Sequence, residues 1–134
     1  MTNVNLHDKL ERMNDKKNLE KMRRPKPSYP LELVQTKLKN GEYLITSNAL
    51  QTAWNDFGWE IKDIVDCLLK LNNKYHEDDP EKNHFYKADR NLRVSKRAMD
   101  FYKAKQIMEE RDVYTHLYIN EETGKVIISS FKEL

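Results

Sequence analysis

"RDVYTHLYINEETGKVIISSFKEL", residues 111 to 134, reads as two strands joined by a tight turn. Glu122-Thr123-Gly124 fits a three-residue hairpin loop with Gly124 at the position that takes positive φ. That loop sets Glu121 opposite Lys125 and carries the pairing back through Tyr118 with Ile128, His116 with Ser130 and Tyr114 with Lys132. These pairs share one side of the hairpin. The other side carries Val113, Thr115, Leu117, Ile119, Ile127, Ser129 and Phe131, and reads as a core face. A hairpin buried on one side only would expose a row of phenols, an imidazole and a lysine. The plainer alternative is that tyrosines suit strands and that Lys132 is a solvated lysine.

Upstream, Leu31, Val34 and Leu38 are helically spaced over Leu31 to Lys39, and Asn40-Gly41 stops that helix. "EYLIT" is a short strand. Thr46 or Ser47 then caps a second helix with Ala49, Leu50, Ala53, Trp54 and Phe57 as its apolar stripe, ended by Gly58. A third helix from Glu60 to Leu71 is expected to bury Ile61, Ile64, Val65, Leu68 and Leu69. "HFYKADR" alternates as a strand, with Phe85, Lys87 and Asp89 on one face and Tyr86 and Ala88 on the other. Ser95 is expected to open a fourth helix running to about Glu110. Helices first and a small antiparallel sheet later make an α+β domain. Residues 1 to 29 form an appendage to the domain at 30 to 134: residues 5 to 22 carry a weak helical stripe, and the prolines of "RRPKPSYP" favour an extended linker.

A chain of 134 residues with 38% hydrophobic and 34% charged residues has one compact core. No apolar run approaches the roughly eighteen residues that span a bilayer, and no signal-peptide pattern opens the sequence, so no membrane partner and a cytoplasmic protein are expected. Its single cysteine, Cys67, lies in the apolar run "IVDCLLKL" and suits a packed thiol. The net charge of +2 is unevenly spread. Residues 82 to 111 are strongly basic, with Arg90, Arg93, Lys96 and Arg97 at their centre, and such a surface attracts polyanions.

Three common chemistries find little footing. His76, Glu77, Asp78, Asp79 and His84 cluster near Pro80 without metal-ligand spacing and suit a solvated acidic loop, so neither a metal nor another cofactor is expected. No serine sits in a G-x-S-x-G elbow, and three glycines provide no phosphate-binding loop. What remains is Lys87, Arg111, Tyr114, His116, Tyr118 and Lys132 on strands. Such a set suits metal-independent cleavage of RNA, in which the ribose 2′-OH attacks the adjacent phosphorus. Cations offset the growing phosphorane charge, a base or acid moves protons, and aromatic rings stack on bases. The same set also describes many non-catalytic surfaces.

The terminal "DVY", the hairpin strand and the closing "SFKE", with "FYK" and "VQTKLKNGEYLITSNAL" upstream, resemble the MqsR family of bacterial toxins over residues 30 to 134. The resemblance implies a RelE-like fold, with helices packed on a small antiparallel sheet that ends in a hairpin. It also implies an mRNA interferase of a toxin–antitoxin system, a metal-independent endoribonuclease that stops translation and is neutralised by a cognate antitoxin protein. On this resemblance Lys87, Tyr118 and Lys132 are the catalytic positions. Arg111, which stands where the family has glutamine, is counted with them as a fourth catalytic residue, in the role of phosphate contact. Tyr114, His116, Arg90, Arg93, Lys96 and Arg97 are assigned to substrate binding. Beyond mRNA and the antitoxin, the ribosome is a candidate partner. The long basic segment 88 to 111 and the appended residues 1 to 29 depart from the family pattern. A non-catalytic RNA- or ribosome-binding protein and a protein-interaction module are the alternatives.

Overall fold

The computed structural model describes residues 26–74, 78–89 and 97–134. The helix expected over residues 5 to 22 lies outside them, as do His76, Glu77, Arg90, Arg93 and Lys96.

The described residues form three α-helices and one five-stranded sheet, and the fold is α+β. The helices are α1 (Leu31–Lys39), α2 (Ser47–Phe57) and α3 (Ile61–Leu68). The strands are β1 (Tyr43–Ile45), β2 (Phe85–Asp89), β3 (Met99–Met108), β4 (Arg111–Ile119) and β5 (Val126–Glu133), in spatial order β1-β5-β4-β3-β2. The sheet is mixed rather than wholly antiparallel, because β1 runs parallel to β5. In sequence α2 and α3 lie between β1 at one edge and β2 at the other, and β3 and β4 then bring the chain back to β5 beside β1.

Local sequence explains the helix ends. The Thr46 hydroxyl accepts the Ala49 N–H at 3.2 Å and caps α2, while Gly58 at φ 72° closes it in the left-handed conformation that a side chain disfavours. The carbonyls left over at the end of α3 are met from another helix, because the Gln35 amide donates to the Leu68, Leu69 and Leu71 oxygens at 3.0 to 3.3 Å.

The helices cover one side of the sheet. Val34, Ala49, Ala53, Ile64, Cys67 and Leu68 are fully buried against Tyr102, Val113, Leu117, Ile128 and Phe131. Phe57, Trp59 and Phe131 meet with ring centroids 4.3 to 6.0 Å apart, and Thr52 ties α2 to the Phe131 carbonyl. The Cys67 thiol, packed in this layer, is pushed up to about 12 by burial. Two residues expected in the core are not there. Trp54 and Ile61 are about half exposed, because the face of α2 and α3 that meets the sheet is narrower than their apolar stripes.

Three further expectations are corrected. First, the helix expected from Ser95 to Glu110 is instead the longest strand, β3, buried in alternation at Asp100, Tyr102 and Ala104. Its neighbours on both sides supply the ladder, and this outweighs the helix preference of its Ala, Lys, Met and Gln residues. Second, the β4–β5 turn is one residue longer than expected, since Asn120 pairs with Lys125 and Ile119 with Val126. The register then shifts between His116 and Leu117, with Ser129 the extra residue on β5. Tyr118 therefore faces Ile127, and Ile128 turns into the core. Beyond the bulge the expected pairs are present: His116 with Ser130 and Tyr114 with Lys132. Third, a bulge between Phe85 and Lys87 turns Phe85 to the core side, against the ring of Tyr102 at 5.5 Å, while Lys87 stays on the open side.

Residues leading into α1 are fastened to the sheet. The Ser28 and Tyr29 N–H groups donate to the two oxygens of the fully buried Asp100 carboxylate at 2.8 and 2.9 Å, and the Tyr29 hydroxyl donates to the Ala98 carbonyl. No helix among the described residues is long and apolar enough to cross a membrane.

Candidate nucleic-acid interface

Strand alternation fixes what the side away from the helices carries. Asp100, Tyr102 and Ala104 point to the core, so Phe101 and Lys103 point away from it, opposite His116 and Tyr114 on β4. Lys87 lies beside Phe101 on the next strand, and Lys132 beside Tyr114 on the other flank. Four strands thus deliver one continuous patch.

Its centre is aromatic. The His116 ring lies 4.8 Å from Phe101 and 5.9 Å from Tyr114, and Phe101 and Tyr114 are 6.3 Å apart. Lysines surround it. Lys87 Nζ lies 4.8 Å from the Phe101 ring centre, Lys132 Nζ 5.2 Å from that of Tyr114, and Lys103 Nζ 3.8 Å from that of Tyr86. All three lysines are exposed, and among the described residues none forms an ion pair; Lys37, Lys82, Lys105 and Arg111 do. Cations held against rings without a carboxylate leave their charge available to an external anion.

Burial and neighbouring charge set the protonation of the centre. The His116 pKa is lowered, chiefly by burial and then by the Lys132 charge, so the imidazole is neutral at pH 7. The Tyr114 pKa is raised by burial and by Tyr86, so its phenol keeps its proton. The patch therefore holds a ring nitrogen able to accept a proton beside a hydroxyl able to donate one.

The residues expected at the site divide. Lys87, Tyr114, His116 and Lys132 meet in the patch. Tyr118 shares its side of the sheet but sits further along β4, where Arg97 donates to its hydroxyl and stacks on its ring at 4.6 Å. The phenol beside Lys132 is Tyr114. Arg111 lies apart from the patch: it bonds Glu133 at 2.7 Å and the Asp56 carbonyl at 2.8 Å, with its guanidinium over Phe57 on the helix side. Arg90, Arg93 and Lys96 belong to the segment outside the described residues. Among the described residues, no three His, Cys, Asp or Glu side chains are grouped to hold a metal ion.

Tyr86, Phe101, Lys103 and Ser129 join the site without having been singled out in the sequence. A signal for three of them was present, because the tetrapeptide FYKA occurs twice, at 85–88 and 101–104. Its second copy lies on β3, directly beside the "DVY" strand, with Lys103 opposite Tyr114. Comparison with known proteins gives no match to a family model and none to a curated protein. The likeness to the MqsR toxins therefore rests on its short motifs.

Proposed function

We propose that the open face binds single-stranded RNA and cleaves it without a metal by attack of the 2′-oxygen on the adjacent phosphorus, as an mRNA interferase of the toxin class would. The observation that carries this reading is the patch itself: three exposed lysines, none with a carboxylate partner among the described residues, around a His-Tyr-Phe cluster. RNA meets each feature with a matching group. Unstacked bases lie on the rings, and phosphates meet the ammonium groups. An open sheet face suits an extended polymer strand better than it suits a small molecule, which is usually enclosed in a concave site.

In this mechanism Lys87 and Lys132 stabilise the charge that builds on the phosphorane, and Lys103 holds a phosphate alongside. The Tyr114 phenol takes the catalytic place first given to Tyr118, proton transfer or base stacking, because the Tyr118 hydroxyl is engaged by Arg97. Arg111 is left out, since Glu133, Asp56 and Phe57 already use its guanidinium. A cytoplasmic location, expected from the sequence, and a neutralising antitoxin protein and the ribosome as partners, implied by the MqsR resemblance, belong to the same proposal.

One observation favours a second reading. Two of the four residues first given catalytic roles, Tyr118 and Arg111, are occupied by other groups, as suits a face that binds RNA and leaves it intact. The chemistry of the product ends separates the two. Attack by the 2′-oxygen leaves a 5′-hydroxyl on the downstream fragment, which accepts label from a polynucleotide kinase without phosphatase treatment. Downstream fragments that bear a 5′-phosphate would refute the mechanism, and bound RNA recovered whole would favour the binding-only reading.

A further inference from the structure

The bulge on β5 sits directly across from His116, and its extra residue bears a hydroxyl. Ser129 Oγ lies 2.7 Å from His116 Nδ1, 3.2 Å from the His116 carbonyl oxygen and 3.6 Å from Met99 Sδ. Each of these contacts constrains a proton. A carbonyl oxygen and a thioether can only accept, so a serine proton given to either leaves Oγ to accept from the imidazole. Nδ1 then carries the ring proton, and Nε2 keeps its lone pair. The ring is held from the other side by Phe101 at 4.8 Å.

On the ribonuclease reading above, we propose that His116 is the proton acceptor of the cleavage reaction and that Ser129 is its positioning residue, selecting the Nδ1–H form and leaving Nε2 as the base. The 2′-OH gives its proton to Nε2 as the 2′-oxygen bonds to phosphorus. The bond to the 5′-oxygen breaks, and that oxygen takes a proton from the Tyr114 phenol. A 2′,3′-cyclic phosphate and a 5′-hydroxyl result, and the protons exchanged between His116 and Tyr114 return through solvent.

The bulge matters because an unbroken ladder would place Ser129 on the core side with Phe131 and leave the imidazole without this partner. Among the described residues, the following groups face the ring. Tyr114 lies on its own strand, Phe101 with Lys87 above it comes from β3 and β2, and Lys132 and Ser129 come from β5. Lys132 contributes the positive charge that opposes protonation of the ring.

Long-range proton–nitrogen correlation spectra of the full chain near pH 7.5 report the tautomer directly. Wild type should show His116 protonated at Nδ1, and Ser129→Ala should shift it towards the Nε2–H form that free histidine prefers. In the cleavage assay, His116→Gln should lose about 100-fold or more in rate, the span of a general base. Ser129→Ala should lose roughly 10-fold in kcat with KM unchanged and alter the acidic limb of the pH profile, a smaller loss than the roughly 100-fold or more that removing the base itself costs. Ser129→Thr, which keeps the hydroxyl, should restore both. An Nε2–H imidazole in wild type, or cleavage indifferent to His116→Gln, overturns the proposal while the ribonuclease reading stands. A wild type with the Nδ1–H tautomer that leaves RNA intact overturns the ribonuclease reading and the base role with it.

Discussion

Replacing Lys103 with alanine should lower the salt dependence of RNA binding by an amount set by counting charges. Three lysines on the open face lack carboxylate partners among the described residues, and each that neutralises a phosphate releases condensed counterion. At about 0.7 of a counterion per contact on a single strand, the three give a slope of roughly −2 in log affinity against log salt. Raising salt from about 50 to about 200 mM should therefore weaken binding by about 20-fold on these contacts alone. Lys103→Ala should flatten the slope by about 0.7 and leave a loss of only about 7-fold over the same interval. Lys39→Ala is the control, because that exposed lysine ends α1 on the helix side of the sheet. Fluorescence anisotropy with a labelled single-stranded RNA, titrated at several salt concentrations, gives both slopes. An unchanged slope for Lys103→Ala, or an equal change for Lys39→Ala, would refute the assignment of the open face.

The fold makes its own predictions. Asp100→Ala strands the Ser28 and Tyr29 N–H groups and should cost about 2 to 5 kcal/mol in urea unfolding, with little change in the slope of the transition. Phe131→Ala removes a fully buried ring and should cost about 3 to 5 kcal/mol, whereas Trp54→Ala, at an exposed position, should stay within about 1 kcal/mol. Burial lowers the pKa of both His84 and His116, so the unfolded chain binds these protons before the folded one does. Stability from this source is complete above about 6.5 and is lost as pH falls from there through the lowered values. His84 Nδ1 accepts the Asn72 N–H at 3.0 Å, so its protonation breaks that bond, and His84→Gln should flatten the decline measured by thermal melts between about pH 7 and 5.

The helices were legible in sequence because their apolar spacing, the Thr46 cap and the Gly58 stop agree with one another. The Tyr114–Lys132 and His116–Ser130 pairs were legible for a less direct reason. The turn is one residue longer than read, and the bulge at Ser129 restores the register just before these pairs. β3 was not legible as a strand, since it reverses the usual pattern: a carboxylate, Asp100, is buried and an aromatic ring, Phe101, faces out. Asp100 is tolerated inside because two backbone N–H groups meet it, and those donors come from residues 28 and 29, far away in sequence. Phe101 and Lys103 were lost with that strand. Arg111 read as a site residue because of its place beside "DVY"; its position on β4 instead turns it to α2.

Incubation of an end-labelled mRNA in excess EDTA with the wild-type chain, Lys87→Ala and Lys132→Ala tests the central claim most directly. Discrete fragments from wild type, reduced at least about 100-fold in both variants while their melting temperatures hold, are the expected result for cations that stabilise the transition state. Intact RNA from wild type, or fragments that persist unchanged in both variants, would contradict a ribonuclease site on the open face.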